Sequence, residues 1–345
     1  MAKGNDVLEV ADVDELIDRG LLADEEQDAD LAERILDEAG DRLGENHPRV
    51  LHLAGRLAWA SGDIERATGF FQQAADQTPT RADIYIDCAR CLHLLGEDDS
   101  AAEAQLRAAL ELPNIDALHK GDALVLLSQI RLEDDDAEEA LELLEQIPAS
   151  LKTQALYFSA KADVLVDLER IKEALECLDA AVTAEPKDPD YHYQQGLARQ
   201  SIGDIEGGIA SMLKVLEIET ELRGPSEAPS AKEVQTLRSV LEEVMEELPS
   251  PLLELVANAP VRVQAGASPE QVREGADPRT AVFFEGTPKL EEGEAELTGI
   301  VVARDVLLDE IEDDEEIGEA LLLAMASEIA DFFAKEDLIY AEASS

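Results

Sequence analysis

The same small, large and turn-forming residues return every 34 positions through roughly the first two-thirds of this 345-residue chain, and few folds obey such a rule. Gly62 recurs as Gly96, Ala67 as Ala101, Ala74 as Ala108 and Pro79 as Pro113. A five-residue insertion around LPNIDALHKG interrupts the phase, which then resumes. Ala140, Ala174 and Gly208 stand 34 apart, as do Leu144, Leu178 and Met212. Each unit reads as two amphipathic helices. In VLHLAGRLAWASGDIERATGFFQQAADQTP the first carries Leu51, Ala54, Gly55 and Ala58 at helical spacing, SGD breaks it, and the second carries Ala67, Phe71 and Ala74 before Pro79. Small residues at Gly55 and Ala67 allow two helix axes to approach where a leucine would wedge them apart. One such pair cannot bury its apolar face alone, but stacked neighbours bury a continuous core.

This arrangement resembles the tetratricopeptide repeat family. The family's small-residue, turn-glycine, alanine, aromatic and proline positions are all filled at 48–79, and most of them at 82–113, 155–186 and 189–220. The unit at 121–148 ends early at Pro148, and a degenerate unit is expected at 14–45, with ADVDELIDRG as a polar cap. Over residues 14 to about 220 the resemblance implies about six helix pairs in a right-handed superhelix, with a concave groove that binds peptides or other proteins and carries no catalysis.

In that family the second, fifth, ninth and twelfth places of each first helix face the groove. The resemblance therefore implies Arg49, His52, Arg56 and Trp59 in the unit starting at Pro48, and Asp83, Ile86, Arg90 and His93 in the unit starting at Ala82. Three arginines, two histidines and the sole tryptophan gather at eight positions of a chain with only 28 basic residues. They suggest an electropositive pocket for an acidic peptide or a C-terminal carboxylate, gripped by arginine forks. The rival reading pairs these arginines with surrounding carboxylates and packs Trp59 between repeats.

Charge narrows the partners. The net charge is −51, spread as −31 over the first 230 residues and −20 over the rest. Such a surface repels phosphate backbones and anionic lipid, so nucleic acid and membrane are excluded as partners. MAKGNDVLEV has no apolar core, and no stretch reaches the roughly 20 apolar residues of a membrane span, which predicts a cytoplasmic protein. Three cysteines make no disulfide framework. In CARCLH, Cys88 falls mid-helix at a core position, so Cys88 and Cys91 read as buried structural thiols.

LRGPSEAPSAK concentrates Gly, Pro and Ser, which divides the chain into a repeat array at 1–221, a linker at 222–232 and a second domain at 233–345. The second domain reads as a helix near 231–247, short strands in APVRVQ, TAVFFEG and TGIVVA, and a last helix from about 315 to 335, making a small α+β fold. The order of its pieces resembles the small bacterial zincin-like metallopeptidase family. FFEGTP matches that family's loop, TGIVVARDVL its strand and turn, and LLLAMASEIADFF the helix that normally carries H-E-x-x-H.

The resemblance fails where zinc chemistry would begin. Ser327 and Asp331 occupy the two histidine positions, Glu328 keeps the general-base position, and Asp337 falls where a downstream acidic ligand is expected. No histidine follows His192. Oxygen donors alone lack the affinity imidazole gives zinc, so the expectation is no metal, no cofactor and no catalytic residue, with the helix kept for a packing face of Leu321, Leu322, Met325, Ile329 and Phe332 or Phe333. No G-x-S-x-G elbow, Walker loop or dinucleotide-binding glycine motif is present. The chain thus reads as mainly α, a tetratricopeptide superhelix followed by a small zincin-like α+β domain, acting as an interaction scaffold with a pseudoenzyme domain. Alternatives are a zinc-type metallopeptidase with an atypical site, and a holdase-like chaperone for basic clients.

Overall fold

The computed structural model describes residues 16, 17, 19, 20, 29–96, 99–224, 226–248, 250–289, 295–309, 311 and 316–333. Contacts divide the chain into two compact units, Met1–Ala184 and Glu185–Ser345.

The described residues of the first unit are mainly helical. Helix α1 (Ala29–Leu43) is followed by four helix pairs: α2 (Pro48–Ala60) with α3 (Ile64–Gln77), α4 (Ala82–Leu95) with α5 (Asp99–Leu110), α6 (Ala117–Glu133) with α7 (Ala137–Glu145), and α8 (Ala155–Asp167) with α9 (Ile171–Ala184). Leu16 and Ile17 are helical too, and pack with Ile35, Ala39, Val50 and Leu53 in one buried cluster, so the array extends in front of α1.

Two sets of positions show what enforces the repeat. Gly55, Ala89, Ser128, Ala162 and Gly196 are all buried small residues. A Cβ at Gly55 would stand 2.5 Å from the Phe71 ring, and one at Gly196 2.9 Å from the Met212 methyl, so the partner helix occupies the space of a side chain. Between the two helices of each pair, Gly62, Gly96, Asp135, Glu169 and Gly203 all adopt positive φ, from 58° to 82°. Asp135 and Glu169 hold this left-handed turn without being glycine, a local strain that the packed pairs on either side impose.

The array departs from the expected phase in two places. Ala101 and Ala108 are the expected core positions of α5, but Ala102, Leu106 and Ala109 are the residues fully buried. Helix α5 starts three residues after Gly96, whereas the other second helices start two after their positive-φ residue, and the alanine pairs 101/102 and 108/109 make that slip invisible to periodicity. The insertion around LPNIDALHKG lengthens a helix: α6 starts at Ala117, where the Asp116 Oδ1 accepts a hydrogen bond from the His119 N–H at 3.0 Å.

The second unit begins with a fifth pair, α10 (Pro189–Ser201) and α11 (Ile205–Arg223). There follow α12 (Ala231–Glu247), α13 (Ser250–Val256), β1 (Val261–Gln264), α14 (Pro269–Arg273), β2 (Val282–Thr287), β3 (Glu296–Ala303), α15 (Arg304–Asp309) and α16 (Ile317–Phe333). The sheet has the order β1-β3-β2, with β1 parallel and β2 antiparallel to the central strand. Ile300, Val301, Val302 and Ala303 are all buried, the continuous apolar run expected of a strand covered on both faces. Leu321, Met325, Ile329, Phe332 and Phe333 of α16 share its core, with Leu322 packed at the margin.

The linker expected at 222–232 lies inside this second unit. Met212 of α11 belongs to the core of the sheet. The Tyr193 hydroxyl donates to the Asp277 Oδ2 at 2.7 Å. Arg279 donates to Glu219 at 2.7 Å and Asp190 at 2.6 Å while lying over the Tyr193 ring at 4.6 Å. Arg304 donates to the Glu227 carbonyl at 3.0 Å and Ser226 Oγ at 3.1 Å, which holds the Gly/Pro/Ser stretch against the start of α15. Composition marks the end of the repeat pattern, whereas these two arginines fasten the last repeat pair and the segment after it to the sheet.

Candidate functional site

A cavity of about 1440 Å³ opens in the first unit, walled by α1 on one side and by α2, the start of α3 and Arg90 of α4 on the other. Trp59 and Phe70 supply its aromatic surface, and Leu36, Val50 and Leu57 its aliphatic one. Arg56, Arg66 and Arg90 line it as well, with the Arg66 guanidinium 5.4 Å above the Phe70 ring. The size and mixed lining suit a peptide segment.

Four of the six sequence-derived groove residues come together here: Arg56, Trp59 and Arg90 line the cavity, and His52 lies behind them. The focus of the cluster is a residue that periodicity did not single out, Asp87. It is 5% exposed, and its carboxylate meets His52 Nε2 at 3.0 Å, Arg90 at 3.7 Å and Arg56 at 3.9 Å. An aspartate on the stripe between Ile84, Cys88 and Cys91 was the available clue. The His52 ring, 4% exposed, also stands edge-on to Phe71 with centroids 5.8 Å apart. Burial raises the Asp83 carboxyl, but the hydrogen bond from Arg81 and the charges of His52 and Arg81 outweigh it and leave the group below its ordinary value.

The remaining two lie elsewhere. Arg49 is half-buried in the first turn of α2. His93, at the end of α4, faces Asp99 of α5 through Nδ1 at 3.0 Å and Glu133 of α6 through Nε2 at 3.4 Å, so it ties three successive helices. Cys88 and Cys91 are fully buried, and burial pushes their thiols up to about 12 and about 11, which keeps them protonated and unreactive.

The opposite wall was not foreseen. Glu33, Asp37 and Asp41 recur every four residues along α1, Glu45 follows in the turn after Gly44, and all four are exposed and line the cavity. None of the four makes an ion pair with a described residue, although Arg42 of the same helix pairs with Glu38 on another face at 2.6 Å. Like charges four residues apart cost a helix about 0.2–0.5 kcal/mol per pair.

In the second unit, Ser327 and Asp331 are exposed, and Glu328 is half-buried beneath the sheet. The Glu328 Oε1 accepts a hydrogen bond from the Phe284 N–H of edge strand β2 at 2.8 Å, and the Lys289 N–H donates to the Phe332 carbonyl at 2.8 Å, so α16 covers that edge. Phe284 stacks edge-on with Phe332 and Phe333, with centroids 5.5 and 6.1 Å apart. Burial, helped by Asp331 and Asp277 and opposed by the Phe284 N–H, pushes Glu328 up to about 7. With no imidazole and with its glutamate engaged by the strand, this set does not fit a zinc ion. Asp337 lies outside the described residues.

Models of the tetratricopeptide repeat match residues 58–120 and 159–219. The chain is similar to the mouse (Mus musculus) tetratricopeptide repeat protein 16, with 24% identity over 186 residues that make up 50% of this chain and 24% of that protein. The match therefore spans about a quarter of its relative's length. Among solved structures, Pseudomonas aeruginosa pilF aligns with a TM-score of 0.51 and 13% identity, over 60% of this chain and 91% of that one. A chain of the APC/C hetero-tetramer Cut9-Hcn1 aligns with a TM-score of 0.53 and 14% identity, over 62% and 42%. These likenesses show a tetratricopeptide-type helical array.

Proposed function

We propose that this chain is a protein-interaction scaffold whose repeat array holds a peptide segment of its partner in the cavity at Trp59. The cavity itself carries the reading: an aromatic and charged hollow built on repeat helices, where rigid neighbours hold each lining residue in place. Arg56 and Arg90 line it and both face the Asp87 carboxylate, which offsets part of their charge and helps fix the floor. A peptide selected by display on the full chain is expected to lose about tenfold in affinity when Trp59→Ala is introduced, because aromatic anchors dominate such contacts. Unchanged affinity overturns the cavity as the binding site.

The second unit we read as a non-catalytic module of zincin-like descent. The Ser327-Glu328-Ile329-Ala330-Asp331 sequence and the structural engagement of Glu328 support this. Peptide hydrolysis that appears with added zinc and vanishes in Glu328→Gln would overturn it.

A further inference from the structure

We infer that the occupant of the Trp59 cavity is a basic peptide segment whose lysine or arginine side chains recur about 6 Å apart, an inference that rests on the cavity being the binding site. The sequence alone points to an acidic ligand, because it places arginines in the groove. The structure changes the balance of charge. Asp87 sits among His52, Arg56 and Arg90 and offsets part of that floor's positive charge. The row Glu33, Asp37, Asp41 and Glu45 makes no ion pair among the described residues, and together with Asp87 it outnumbers Arg56, Arg66 and Arg90, so the cavity stays net negative.

Spacing defines the ligand further. Four helical residues rise about 6 Å, so the three carboxylates from 33 to 41 span about 12 Å along α1, with Glu45 in the turn beyond it. Alternate side chains of an extended peptide stand about 6.6–6.8 Å apart, so basic residues at every second position meet successive carboxylates. The Trp59 face then offers the aliphatic stems of those side chains an apolar surface, with the charged ends free to reach the row. The strongly negative field of the whole chain draws such a segment in and repels an acidic one.

The test is fluorescence anisotropy of a labelled peptide of alternating lysine and alanine against the full chain, with a glutamate-for-lysine peptide as counter-probe. The lysine peptide is expected to bind, and the double substitution Asp37→Asn with Asp41→Asn to weaken it about tenfold. Glu138→Gln with Glu142→Gln, the same charge change on exposed positions of α7 outside the cavity, is expected to leave affinity within about twofold. Thermal melts verify that both variants fold, and removing like charges from α1 does not weaken that helix. Equal loss in the two double variants means a general attraction of cations to this acidic chain and overturns the inference. Equal or tighter binding of the glutamate peptide does the same. A display-selected peptide that is lost on Trp59→Ala yet indifferent to the asparagine pair overturns the basic ligand while leaving the cavity as the binding site.

Discussion

The two units hold a carboxylate out of water by opposite means, one fully buried and the other half-buried. In the repeat array, Asp87 is surrounded by His52, Arg56 and Arg90. In the second unit, Glu328 has the Phe284 N–H as its hydrogen-bond donor, with Asp331 and Asp277 as neighbours that oppose its charge. The difference follows from scarcity: the chain has 28 basic residues against 79 acidic ones. The array concentrates cations on one aspartate between two repeats. The second unit uses Arg279 and Arg304 to fasten α10, α11 and the segment after them, and leaves Glu328 to the backbone. One carboxylate is therefore expected to stabilise its surroundings as an anion, and the other to destabilise them.

Asp87→Ala breaks the comparison most severely. It removes the carboxylate that His52, Arg56 and Arg90 share, and the expected loss is about 3 kcal/mol in urea unfolding of the full chain. A loss under about 0.5 kcal/mol would make the cluster an ordinary surface ion pair. Arg279→Ala comes next, at about 2 kcal/mol. It removes the charge over Tyr193 and strips Glu219, whose side chain is 12% exposed, of its closest cation. Hydrogen exchange should then rise in α10 and α11 together with the segment before β2 that carries Arg279, since these are what it joins. Increased exchange confined to one of them would mean that Arg279 does not couple them.

Periodicity made the helix pairs legible, because burying a small residue against a neighbouring helix repeats at every unit. Short apolar runs bounded by turn residues likewise gave β1, β2 and β3. A one-residue slip at Ala102 stayed hidden, since adjacent alanines satisfy either phase. The role of Asp87 was hidden for another reason. Its partners His52 and Arg56 lie 35 and 31 positions upstream, on another helix, and local spacing does not say which side chains meet across a helix interface. The place of the 222–232 segment was equally out of reach, because it depends on Arg279 and Arg304, far along the chain. The carboxylate row of α1 was fully visible as a four-residue spacing. Its significance needed the knowledge that the row makes no ion pair among the described residues, where Arg42 of the same helix meets Glu38.

The smallest expected effect sharpens the comparison most, because its sign differs from the other two. Glu328 is raised from its ordinary 4.5 to about 7, with burial as the largest cause. A carboxyl held higher in the folded state than in the unfolded one binds its proton more tightly when folded. Its favourable contribution is complete below pH 4.5 and is lost as pH rises through about 7. Glu328→Gln keeps an oxygen to accept the Phe284 N–H but carries no charge, so it removes this loss. Above pH 7 the variant is expected to be more stable than the parent by about 1 kcal/mol, a figure reduced for partial exposure, and below pH 4.5 the two should converge. Subtracting the parent's unfolding curve from the variant's at each pH cancels the self-repulsion of the remaining acidic groups. A difference that stays flat from pH 4 to 8 would show that Glu328 titrates as an ordinary surface carboxylate. A variant less stable than the parent at pH 8 would place an unseen cation beside Glu328 and make the two carboxylates alike.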